Sequence, residues 1–155
     1  MIPLLRICEW LQQTPVSVSI RESIWVFPIL DAVHCVGIVL VAGTIVIVDL
    51  RLLGLGMRRE SISSVIAQVL PWTLFGFAFM FVTGSLLAWA EPVKLYHSVF
   101  FRWKLLFLAL AGLNALLFHN TTLTPAGARL AGAVSIACWI SVIAAGRAIG
   151  YELSR

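Results

Sequence analysis

Residues 27–50 read FPILDAVHCVGIVLVAGTIVIVDL, and this stretch decides the fold class. Its length exceeds what a helix needs to cross a hydrocarbon layer about 30 Å thick. In such a layer no water meets an unpaired peptide group, so a spanning segment must pair its own backbone as a helix. Pro28 suits a helix's first turn, or a kink if the helix begins earlier, near Ser19. Leu52-Leu53-Gly54-Leu55-Gly56 marks the other end, in a loop carrying Arg51, Arg58 and Arg59.

Outward from this stretch the same pattern recurs. Apolar runs over about 70–90, 98–118 and 130–149 give three further spans, so an all-α, four-helix membrane bundle is expected, a single transmembrane domain over residues 1–155. Trp72 and Trp89 fall at the ends of the second run, at the level of an aromatic belt. Residues 3–13 place Leu4, Ile7, Cys8 and Leu11 on one helical face opposite Arg6, Glu9, Gln12 and Gln13. They read as an amphipathic helix lying on the bilayer surface, broken at Thr14-Pro15. Residues 61–69 read as a separate surface turn capped by Ser61, with Pro71 at the entry to the second span. Ala133, Ala137, Ser141 and Ala145 recur every fourth residue, and Gly76 and Gly84 share a face. Small residues at these spacings let helices approach closely in lipid. Short connections predict that consecutive spans are antiparallel neighbours.

Composition agrees. The chain is 61% hydrophobic and 12% charged, with mean hydropathy +1.00, so lipid is the solvent it suits. The net charge of +4 is scattered at segment ends rather than gathered in a stripe, which argues against nucleic acid and for contact with headgroups. Residues 1–14 lack the continuous apolar core of a cleavable signal peptide. Cys8, Cys35 and Cys138 are too far apart for a metal-binding pair, and Cys35 and Cys138 read as small core residues. No catalytic fingerprint for hydrolysis, nucleotide binding or zinc chemistry occurs, so independent catalysis is not expected.

Ionisable groups inside a span are costly, and each calls for a partner or a role. Asp31 and His34 share a face near the start of the first span, and Lys104 lies at similar depth in the third. They form a candidate cluster, with His97 and Arg102 nearer the surface. It could be a register-fixing Asp31–Lys104 ion pair, an imidazole site for haem or metal, or a proton relay. Asp49, Arg51, Asn114 and His119 gather towards the other face, as loop anchors or a second ligand site. His34, beside Gly37, is the best-placed histidine for haem b in the bundle, and His97 its nearest partner in sequence terms.

The runs IRESIWVFPILDAVHCVG from Ile20, GTIVIVDLRLLGL from Gly43, PWTLFGF from Pro71, VTGSLL from Val82 and FRWKLLFLALAGLNALLFH from Phe101 carry a resemblance. The chain resembles an uncharacterised family of small bacterial four-helix inner-membrane proteins. That family is distantly similar to CopD-type copper-resistance proteins and two-haem cytochrome b-like bundles. The matched positions are His34, Asp49, Arg51, Lys104, Asn114 and His119. The cytochrome-like resemblance implies haem ligation by His34 and His119 near opposite faces, with electron transfer to a redox or membrane-complex partner. Two other expectations stand beside it: a cofactor-free anchor or assembly subunit, with self-association as a further option, and a copper- or proton-handling protein using Asp31, His34 and Lys104.

Overall fold

A computed structural model describes residues 3–120 and 124–152, with the side chains of residues 3, 119 and 120 excepted. The described residues form seven helices: α1 (Pro3–Gln12), α2 (Pro15–Glu22), α3 (Val26–Leu53), α4 (Ile62–Ala90), α5 (Pro92–His97), α6 (Val99–Asn120) and α7 (Pro125–Glu152). Four of them, α3, α4, α6 and α7, are long and apolar enough to cross a membrane. Within each of these, between 6% and 33% of the most apolar stretch is buried in the protein. The remaining apolar surface requires a lipid environment, and the chain is a multi-pass membrane protein.

The two ends of the bundle differ. α1, α2 and α5 gather where α3 and α6 begin and α4 and α7 end, which we call the collar side. The opposite, loop side carries the α3–α4 and α6–α7 connections. α3 closes there on Gly54, whose φ of +75° suits glycine. The N–H groups of Gly54 and Leu55 bond back to the carbonyls of Arg51 and Leu50, satisfying acceptors that a helix end leaves free.

Three features depart from the sequence reading. Thr14-Pro15 ends α1, but it also starts a second helix: the Thr14 hydroxyl caps α2 by accepting from the Ser17 N–H at 3.4 Å, with Pro15 in the first turn. Residues 62–69 are the first turns of α4 rather than a separate surface turn, so Pro71 lies inside that helix. A helix of 29 residues outruns the hydrocarbon layer, and its polar first turns project beyond it. Finally, α4 and α6 are joined by the short α5 but do not pack as neighbours. The row runs α4, α3, α7, α6, with α3 against both α4 and α7.

Glycines explain this order. A Cβ at Gly76 would lie 2.7 Å from Val41 Cγ2, and one at Gly132 would lie 3.0 Å from the Asp49 carbonyl oxygen. The helices therefore meet at closest range through α3. The α7 face that packs is Ala128, Gly132, Ser135, Cys138, Trp139, Val142 and Ala145, not the four-residue row expected from sequence, in which Ala133 and Ala137 are exposed. At mid-bundle Val41, Ala111, Cys138, Trp139 and Val142 form an apolar core, flanked by Ile45, Met80 and Phe107. Phe77 tilts against Trp139 at 5.9 Å, tying α4 to α7. Cys138 belongs to this core as expected, but Cys35 is exposed and faces outward.

The collar is seated on the end of α4. Ser17 Oγ donates to the Ala90 carbonyl at 3.0 Å, and Arg21 Nη1 reaches the same oxygen at 3.5 Å. Trp89 Nε1 donates to Thr14 Oγ1 at 3.0 Å. These bonds satisfy a carbonyl that would otherwise be orphaned at a helix terminus. Ser17 is fully buried, so Ser17→Val should cost about 1–3 kcal/mol and loosen α1 and α2 while leaving the spans folded. Limited proteolysis reads this as faster cleavage near residues 12–23 with an intact four-span fragment.

Candidate functional site

The collar-side third of the bundle is polar inside. His34 is 7% exposed, and its Nδ1 lies 2.8 Å from Thr83 Oγ1 on α4. The Thr83 hydroxyl has one hydrogen, and it donates to the Phe79 carbonyl at 2.9 Å. With that hydrogen on the carbonyl, Thr83 can accept from a His34 Nδ1–H, the neutral tautomer whose Nε2 lone pair is free. Gly84 makes room for the imidazole, since a Cβ there would sit 3.1 Å from His34 Cε1.

Lys104 enters from α6. Its stem lies against Gly146 of α7, with Nζ 3.7 Å from where a Cβ would stand. Asp31 and Lys104 both lie within electrostatic reach of His34. The expected Asp31–Lys104 ion pair is not formed: among the described residues, the ion pairs within 4 Å are Arg21–Glu22 and Lys94–Glu91, both outside the spans. Asp31 is exposed on α3 and Lys104 half-buried. His97 and Arg102 turn elsewhere: His97 stands edge-on to Tyr96 at 5.1 Å, and Arg102 Nη2 donates to the Tyr96 carbonyl at 3.1 Å. The structure thus brings together His34, Thr83 and Lys104, with Asp31 beside them, and puts His97 and Arg102 on the surface. Thr83 escaped the sequence reading, although a threonine in an uncharged span is itself a signal, because its hydroxyl must find a partner in lipid.

The loop-side residues do not form one group. Asp49 is 3% exposed and faces Ser135 of α7. Asn114 instead donates to the Ala131 carbonyl at 3.0 Å, joining α6 to α7, and Arg51 Nε donates to the Glu60 carbonyl at 2.8 Å, bracing the loop. Between the two ends, Thr73 donates to Thr44 Oγ1 at 2.9 Å, a second hydroxyl contact between α3 and α4. The backbone of His119 ends α6 on the loop side, and its side chain lies outside the described residues. No three His, Cys, Asp or Glu side chains among the described residues come together as metal ligands.

A family profile matches residues 25–152. The chain belongs to DUF6644, a family of unknown function. Neither a curated protein nor a solved structure matches the chain. The comparisons therefore lend no support to the likeness to CopD-type and cytochrome b-like bundles. The DUF6644 match takes in all four spans with His34, Asp49, Thr83 and Lys104. It begins after α2, so the collar helices α1 and α2 lie outside it.

Proposed function

We propose that this DUF6644 member is a proton-handling protein of the bacterial inner membrane, with His34 as the base that takes up and releases the proton. The observation that carries the reading is the hydrogen-bond chain from His34 Nδ1 through Thr83 to the Phe79 carbonyl. It supports the Nδ1–H tautomer, in which Nε2 is the exchanging atom. Thr83 and Gly84 orient the ring; Lys104 and Asp31 supply opposing charges that tune its affinity for a proton. Gly146 holds the lysine stem against α7.

Haem b, the cofactor the resemblance implies, draws support from the same free Nε2. The surrounding residues fit it less well. The Nδ1–Cε1 edge of His34 is packed on Thr83 and Gly84, His97 faces Tyr96 at the surface, and the His119 backbone is on the opposite side. These residues do not build a bis-histidine pocket around His34. The cofactor-free subunit reading rests on α6, of whose most apolar stretch 6% is buried, leaving a face for a membrane partner or a second copy.

Nitrogen-15 NMR of histidine in the bilayer-reconstituted protein tests the proposal, since the chain holds three histidines. One resonance set, lost in His34→Gln, should show the Nδ1–H tautomer and gain a proton on Nε2 as the pH is lowered. A His34 locked in one state across the pH range in which the protein stays folded would sink the proposal. A visible spectrum of protein purified in detergent decides the haem reading: a Soret band that vanishes in His34→Ala would replace the proton reading by haem ligation.

A further inference from the structure

Asp49 plays no part in the site around His34. The two residues are fifteen positions apart on α3, about 22 Å along a helix, with the apolar layer around Val41 and Trp139 between them. The Asp49 side chain is 3% exposed, and its Oδ2 is buried without a hydrogen-bond partner. No cation lies within 4 Å, since neither ion pair of the described residues includes Asp49. Asp49 also sits in the last turns of α3, where the carbonyl ends of the peptide dipoles make a negative pole. An ionised carboxylate here would have burial, the dipole and an empty acceptor against it at once.

The neighbours offer one hydrogen bond, from Ser135 of α7, and no cation. α4 contains no titratable side chain. On α7 the facing groups are Ser135 and Gly132, and Arg129 is exposed. On α3 itself Arg51 is committed to the Glu60 carbonyl, and on α6 Asn114 is committed to Ala131. A neutral carboxyl group resolves the conflict. Its hydroxyl can donate to Ser135 Oγ, and the remaining oxygen carries no net charge to be solvated.

We infer that Asp49 is a second proton-binding site, which holds its proton in the resting protein and exchanges it with the loop side. The inference goes beyond the proposal for His34 and does not depend on it. Together the two groups would give the bundle a proton-exchanging residue towards each face, separated by an apolar layer.

The chain has two aspartates, Asp31 and Asp49, which makes the test direct. Full-length protein labelled with carbon-13 at the aspartate side-chain carboxyl is reconstituted in bilayers at neutral pH, and its carboxyl resonances are recorded. One neutral-acid resonance is expected, and it should persist in Asp31→Asn. Two carboxylate resonances would overturn the inference, as would a neutral resonance that disappears in Asp31→Asn. Asp49→Asn, which mimics the neutral acid in shape and charge, should fold with a melting temperature equal to or above that of the parent. A large drop would also overturn it. His34→Gln should leave the neutral resonance in place, so failure at either residue is read separately from the other.

Discussion

Gly76→Leu separates α3 from α4 and lowers the stability of the bundle by about 3 kcal/mol, at the upper end of what overpacking a core costs. The Cβ alone would fall 2.7 Å from Val41 Cγ2. Val41 is 1% exposed at the centre of the core and β-branched, so its helix holds it close to one rotamer and it has nowhere to turn. Lipid gives helices no hydrophobic reason to associate, so lost contact is not recovered by burial elsewhere. The helix pair also aligns Thr83 with His34 and Thr73 with Thr44, so both hydroxyl contacts should fail with it. Thermal unfolding in detergent measures the loss, and Gly112→Leu is the control, because a Cβ at Gly112 meets nothing within 4 Å. Equal melting temperatures for the two variants would refute the close-packing account.

Lys104→Met acts in the opposite direction. An unpaired lysine at the centre of a span costs roughly 2.5–3.5 kcal/mol, and one nearer the end, where its stem can reach towards the interface, a fraction of that, about 1 kcal/mol. Methionine keeps the stem that lies along Gly146 and removes the charge. The variant should melt at a higher temperature than the parent and lose the normal proton exchange at His34, read by the same histidine resonances. Stability gained together with altered exchange would mark Lys104 as a residue kept at a cost for its charge. A lower melting temperature would show instead that Lys104 holds the bundle together through a contact other than an ion pair.

How much of this was legible beforehand depended on what lipid forbids. The apolar runs of α3, α4, α6 and α7 announced themselves because nothing else can cross a bilayer, and Asp31, His34 and Lys104 stood out as ionisable groups in oil, whereas Asp49 read as a loop anchor or second ligand site. Gly76 and Gly84 were correctly read as points of close approach, since the absence of a side chain has the same consequence in any partner. Pairing order was not legible. It depends on which small residue meets which helix, and Gly132 against the Asp49 backbone, which draws α7 to α3, has no marker within α7 alone. The exposed Ala133 and Ala137 have the right size but the wrong face. For the same reason Asp31 and Lys104 could be matched in depth but not in azimuth, and the ion pair expected from depth is absent. The partners of Thr83 and Ser135 became visible only once two helices had been laid side by side.

The seat of the collar has a consequence for synthesis. Ser17 is joined to Ala90 across 73 positions of sequence, so the carbonyl it needs does not exist until the second span has emerged. α1 and α2 leave the ribosome before α3 and α4 and must wait for this bond while those two insert. The docking of residues 15–22 therefore reports that the hairpin beneath them has closed.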